Sequence, residues 1–366
     1  MSADPARAAL DAELLGWMRE EPWRFDETRF ERLALALFEF QLARCEPYAR
    51  FCAGRGVRPG RIAAWREIPA VPTGAFKEVA LRCFPAECEC RVFRTSGTST
   101  EKRGELHLDT LALYEAALLP SFRRFVLPDL HPGERARIRI LAPAPEEAPD
   151  SSLSHLFGCA LRAFGDAESG FDLRGGSLDV DALVAGLERA AADAISVAIC
   201  GTAFAFVHLL DALDARGARL ALPSGSRAME TGGFKGRSRE LPRAALYAAI
   251  EKAFAIPPER IVNQYGMTEL ASSFYDSVLC RPGRPRCKLG PPWARVRVID
   301  PETGGDAAPG SPGALSIVDL ANTGSALAVQ TADLGRTASD GFEVIGREPG
   351  AESRGCSIAA DEMLAP

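Results

Sequence analysis

A basic excess is missing from this sequence: 43 Lys and Arg stand against 49 Asp and Glu, a net charge of −6. Nothing in that balance draws in a phosphate backbone or an anionic membrane, so a nucleic-acid reader is excluded as the leading reading. Cysteine is sparse for a disulfide scaffold, with ten in 366 residues. Cys83, Cys88 and Cys90 lie close together, and Cys280 and Cys287 flank a proline-rich loop, yet no C-x-x-C pair or adjacent histidine accompanies them. Structural thiols are the favoured reading and a zinc site the alternative. The four histidines, at 107, 131, 155 and 208, are isolated, and G-x-S-x-G occurs nowhere, which argues against a serine hydrolase. No Walker A spacing is present, which disfavours a P-loop NTPase.

Long apolar runs are lacking too. The most apolar stretch, Ala194 to Leu210, is interrupted by Ser196, Gly201, Thr202 and His208, and reads as a buried strand followed by a helix. The opening MSADPARAALDAELLGWMREEPW has neither the basic n-region nor the apolar h-region of an export signal, so a cytoplasmic location is expected.

What is present is a composition of 47% apolar and 25% charged residues, with mean hydropathy near zero. That describes a globular chain of two domains, or one large one with subdomains. Apolar residues at helical spacing over 7–20 and 28–45 predict two opening helices. Short apolar runs at 137–142, 195–199, 218–222 and 260–264 alternate with helical patterns at 152–164, 179–192, 202–215 and 239–255, the signature of parallel α/β structure. From about 271 the segments SSFYDSVL, ARVRVID, GALSIVD, LAVQT and FEVIG read as short strands of a β-rich part. The expected division is a helical segment at 1–50, an α/β core at 51–270, a β-rich subdomain at 271–345 and a tail at 346–366.

Two segments carry chemistry. Thr95-Ser96-Gly97-Thr98-Ser99-Thr100-Glu101-Lys102-Arg103-Gly104 sets hydroxyls around a glycine after Val92-Phe93. Small residues let backbone N–H groups approach an anion and hydroxyls add donors, so the loop suits a polyphosphate; a solvated Ser/Thr turn is the plainer alternative. Asn263-Gln264-Tyr265-Gly266-Met267-Thr268-Glu269 follows a predicted strand. There a tyrosine offers a flat face to a base, a threonine donates to phosphate, and a carboxylate holds Mg²⁺ beside phosphate oxygens. Ligands of open α/β sheets bind at such strand ends.

Together these segments resemble the adenylate-forming superfamily of acyl-CoA synthetases, nonribosomal-peptide adenylation domains and luciferases. TSGTS is similar to its phosphate loop and YGMTE to its nucleotide motif. Thr231-Gly232-Gly233 resembles the adenine-side glycine pair, Thr331-Ala332-Asp333 the ribose-binding T-G-D, and Gly346-Arg347 the hinge G-R. The match departs in three places. The phosphate loop lacks its second glycine and proline, leaving Lys102 or Arg103 as its cation, and Ala332 replaces a glycine. Only 19 residues follow Arg347, so the superfamily's mobile carboxy-terminal domain is expected to be absent.

Val71-Pro72-Thr73-Gly74-Ala75-Phe76-Lys77-Glu78, Thr231 to Gly236, and Gly346-Arg347 through Arg354-Gly355-Cys356-Ser357 resemble more closely the LuxE-type acyl-protein synthetases of fatty-acid reductase systems. The resemblance implies an α/β fold like the large amino-terminal domain of adenylate-forming enzymes, with parallel subdomains and a β-rich one, and an ATP- and Mg²⁺-dependent ligase. It implies that Thr95, Ser96, Gly97, Thr98 and Ser99 cradle the phosphates and that Gly232, Gly233, Tyr265 and Gly266 border the adenine. Asp333 would hold the ribose, Arg347 ribose or phosphate, Thr268 the α-phosphate and Glu269 the metal. Cys356, the last cysteine, would accept the acyl group and hand it to a reductase partner, with Arg354 favouring the thiolate. Part of the acyl pocket is expected at Ser151–Phe157 and Ala203–Phe206. Two alternatives stay open: direct transfer to CoA or a carrier protein, and a non-catalytic nucleotide-binding subunit. The acid itself, fatty or aryl, is not specified.

Overall fold

The run RIRILAP forms the strand Arg137–Pro143 in the structure, a computed structural model that describes residues 4–95, 102–232, 241–338 and 340–347. These described residues group into two units. The first draws on Met1–Ser121, Met267–Phe274 and Cys287–Glu352, and the second on Phe122–Gly266 and Tyr275–Arg286.

In the second unit Arg137–Pro143 pairs in parallel with Gly170–Arg174 on one side and Val197–Thr202 on the other. Arg227–Thr231 and then Ile261–Tyr265 extend the sheet in parallel. Numbered along the chain, these strands lie in the order 2-1-3-4-5, so the winding direction reverses between Arg137–Pro143 and Val197–Thr202. The helices Val180–Ala192, Ala203–Ala215 and Arg243–Phe254 bury Leu183, Leu187, Phe206, Leu209, Ile250 and Phe254 against Leu141, Ile199 and Ile261. Their starts are set by side chains that take up helix N–H groups: Asp179 accepts from Ala182 at 3.0 Å and Thr202 from Ala205 at 3.0 Å.

The apolar run at 218–222 is not a strand. Leu220 and Leu222 give their N–H groups to the carbonyls of Ala253 and Phe254, tying a loop to the end of the helix Arg243–Phe254. The fourth strand comes later, at Arg227–Thr231, where all five residues are buried, three of them polar.

In the first unit Ala294–Ile299, Pro312–Asp319, Ala328–Ala338 and Gly341–Arg347 form an antiparallel meander, with Lys288–Leu289 beside the last strand. Val71–Pro72 adds a short parallel pairing to Ala328–Ala338. Arg91–Arg94 and Glu105–Leu108 form a separate hairpin. The helix Glu27–Arg44 turns Phe30, Leu33, Leu37 and Phe38 inward at the spacing read from the sequence, and Asp26 caps it by accepting from Arg29 at 2.9 Å. Among the described residues no helix is long and apolar enough to cross a membrane.

Candidate functional site

Thr95 directly follows the first strand of the hairpin, and the chain returns at Gly104, just before the second. The two close that loop directly: Thr95 N–H donates to the Gly104 carbonyl at 2.8 Å and Gly104 N–H to Thr95 Oγ1 at 2.7 Å. A Cβ on residue 104 would stand 3.1 Å from Thr95 Cγ2, so this close approach favours glycine. Of the two cations in the loop, Arg103 donates to the Thr95 carbonyl at 2.5 Å, while Lys102 is exposed and pairs with Glu78 at 3.3 Å. Ser96, Gly97, Thr98 and Ser99 lie outside the described residues, as do Gly233 and Cys356.

Thr268 and Glu269 occupy a turn in the same unit, each 2% exposed. Thr268 Oγ1 makes a long contact of 3.4 Å to the carbonyl of Arg94, a residue 174 positions away. That contact brings the nucleotide-type motif to the base of the hydroxyl-rich loop. The carbonyl of Glu269 accepts from Asn322 Nδ2 at 2.8 Å.

Asp333 and Arg347 face each other across neighbouring antiparallel strands, and Arg347 Nε donates to Asp333 Oδ1 at 2.7 Å. Thr331 supports this pair: its hydroxyl donates to the Leu315 carbonyl at 2.9 Å and accepts from Asp333 N–H at 3.1 Å. Ala332 sits inside the strand Ala328–Ala338, where extended backbone needs no glycine.

Of the other residues singled out from the sequence, Gly232, Tyr265 and Gly266 belong to the second unit. Thr231 is in register with Gln264 on adjacent parallel strands, so Gly232 and the pair Tyr265-Gly266 emerge side by side at the carboxyl ends. Gly232 turns the chain at φ +85°, a conformation that suits glycine. Beneath them Glu230, 2% exposed, accepts from Tyr247 OH at 3.0 Å and from Asn263 Nδ2 at 2.7 Å. Asn263 N–H donates to Asp276, which also pairs with Arg286 at 2.5 Å.

Ser151–Phe157 is buried throughout at the start of the helix Ser152–Phe164, and Ala203–Phe206 opens the next helix after the reversal point. Cys159 on the first of these helices lies 3.5 Å from His155 Nε2 and receives Arg162 Nη2 at 3.2 Å. No cluster of three or more potential metal ligands forms around Cys83, Cys88, Cys90, Cys280 or Cys287 among the described residues.

A family model described as acyl-protein synthetase, LuxE, matches residues 166–365. The chain belongs to that family. It is therefore a ligase of the acyl-protein synthetase type. It is similar to the long-chain-fatty-acid–luciferin-component ligase of Aliivibrio fischeri, with 23% identity over 329 residues, covering 88% of this chain and 83% of that protein. Among solved structures it resembles 2-hydroxyisobutyryl-CoA ligase in an open conformation with 2-HIB-AMP and CoA, at a TM-score of 0.62 and 13% identity over 90% of this chain and 75% of that one. The same ligase in its thioesterification state matches with a TM-score of 0.62 at 14% identity, over 89% and 69% of the two chains. The fold of this acyl-protein synthetase is thus that of the adenylate-forming CoA ligases.

Residues the sequence did not single out are Asn322 and Arg94 in the first unit and Glu230 in the second. Glu230 directly precedes Thr231-Gly232. A charged residue inside a short run leading to a glycine pair was the available signal.

Proposed function

We propose that the protein activates a carboxylic acid with ATP as an acyl-adenylate, then passes the acyl group to the Cys356 thiol and onward to a reductase partner. The observation that carries this reading is the Thr268–Arg94 contact, which joins two motifs of nucleotide chemistry that lie far apart in the chain. The relative from Aliivibrio fischeri is named for a long-chain fatty acid, which favours the fatty over the aryl alternative.

A carboxylate is a poor acyl donor because oxide would have to leave. In the first step an acid oxygen attacks the α-phosphorus of ATP, and the bond to pyrophosphate breaks. Thr95 to Ser99 cradle the phosphates with backbone N–H groups and hydroxyls, and Thr268 donates to the α-phosphate as its charge builds. Glu269 and Thr268 present oxygen atoms on one buried turn, a hard donor set that suits Mg²⁺. When bound there, the ion supplies charge neutralisation at the phosphates. Asp333, oriented by the hydrogen bond from Arg347, accepts from the ribose hydroxyls, and Tyr265 with Gly232-Gly233 borders the adenine. In the second step the thiolate of Cys356 attacks the acyl carbon, a thioester bond forms, and AMP leaves with the electron pair.

ATP–pyrophosphate exchange across fatty acids of increasing length and a set of aryl acids, followed by intact-mass measurement, tests this. Exchange with at least one acid and an acyl mass on the protein that Cys356→Ser abolishes are expected. Transfer to CoA or a carrier protein that survives Cys356→Ser would replace the second step. A lack of exchange for every acid, with the reductase partner present, would favour a non-catalytic nucleotide-binding subunit.

A further inference from the structure

We infer that Asn322 is a positioning residue for Glu269, an inference that rests on the nucleotide reading of that residue. Asn322 is 2% exposed in the loop between Pro312–Asp319 and Ala328–Ala338. Its Nδ2 donates to two carbonyls, of Glu269 at 2.8 Å and of Ala326 at 3.3 Å. Two acceptors on one side fix which end of the amide faces them, because a carbonyl oxygen there would repel both.

The loop that holds Asn322 is itself fixed. Gln41, fully buried, donates to the Asn322 carbonyl at 2.7 Å and accepts from Leu327 N–H at 2.9 Å. A second tie lies three residues beyond Glu269. Buried Asp319 accepts from Ser272 N–H at 2.7 Å and Ser272 Oγ at 2.8 Å, and Trp293 Nε1 reaches the same hydroxyl at 3.2 Å. The segment 269–272 is therefore pinned at both ends by the end of the strand Pro312–Asp319 and the loop that follows it. The Glu269 backbone cannot shift without breaking a buried hydrogen bond, and its carboxylate moves with that backbone.

Asn322→Leu keeps the approximate volume and removes both donated bonds; Gln41→Leu removes two bonds to the same loop without touching Glu269. The apo thermal midpoint and the Mg²⁺ concentration giving half of the ATP-induced midpoint shift are measured for each, together with pyrophosphate exchange on the fatty acid that gives the fastest exchange in the wild type. Both variants are expected to lower the apo midpoint similarly. Asn322→Leu alone should raise the Mg²⁺ requirement by about tenfold or more, as losing a group that orients a metal ligand does. Its exchange KM for that acid should stay near that of the wild type. Equal Mg²⁺ requirements in the two variants would reduce Asn322 to a structural role and overturn the inference. If Asn322→Leu does not fold, Asn322→Ser, whose hydroxyl donates to one carbonyl, is compared in the same way. Wild-type protein that ATP does not stabilise at any Mg²⁺ concentration would overturn the nucleotide reading itself, and this inference with it.

Discussion

The two units place their candidate residues on different kinds of support. In the second, Gly232, Tyr265 and Gly266 stand at the ends of parallel strands whose helices bury aliphatic and aromatic side chains. In the first, Asn322 holds the Thr268–Glu269 turn, Asp319 holds Ser272 three residues on, and Gln41 fixes the Asn322 loop, all polar side chains with almost no exposure. An apolar core tolerates repacking because dispersion contacts have no direction, whereas a buried polar network fails when one partner is lost. The contrast teaches that geometry around the turn is set by direction-dependent bonds, and geometry at the strand ends by packing.

Deleting packing in the second unit should give the largest loss of stability. Phe206 is fully buried, and Phe206→Ala is expected to cost roughly 3–5 kcal/mol in denaturant unfolding. Glu269→Gln should leave unfolding nearly unchanged while lowering pyrophosphate exchange by about 10²–10³-fold, the usual scale for removing a group aimed at developing charge. If it lost stability in proportion to activity, the turn would be structural. Gln41→Leu comes next, at about 2 kcal/mol of stability, because it strands a carbonyl and an N–H in the interior. A negligible cost there would erase the difference between the two kinds of support.

The smallest effect is expected at Asp129, whose carboxyl is held below its ordinary value of 3.8 chiefly by the hydrogen bond from Arg227. A depressed folded-state value means that the contribution is present above pH 3.8 and is lost as pH falls through the lower value. The Asp129 side chain is 58% exposed, so solvent screens the pair and Asp129→Asn should cost less than about 1 kcal/mol at pH 7. In strong acid the variant and the wild type should unfold alike.

Much of the architecture was legible because apolar periodicity and burial coincide. The helices Ser152–Phe164, Val180–Ala192 and Ala203–Ala215 fall within a residue of their predicted ranges. The strand Arg227–Thr231 was not legible, because its polar residues are buried yet each has a partner: Arg227 with Asp129, Glu230 with Tyr247 and Asn263, Thr231 with Gln264. Hydropathy reads such residues as surface. The run at 218–222 misled in the opposite sense, since its leucines are buried without strand pairing. At the site, Asp333 with Arg347 and Gly232 beside Tyr265 were foreseeable as motif residues, but their partners were not. Asn322 and Gln41 are 281 residues apart, and no local pattern signals that one amide will close on the other.

In the proposed reaction one ATP molecule is held by both the Thr95 loop and the Thr268–Glu269 turn. A crystal structure with Mg²⁺ and ATP tests that most directly. Phosphate oxygens are expected within hydrogen-bonding distance of both Thr95-loop donors and Thr268, with Glu269 on the metal side. ATP bound with its phosphates at neither segment, or at only one of them, would contradict it.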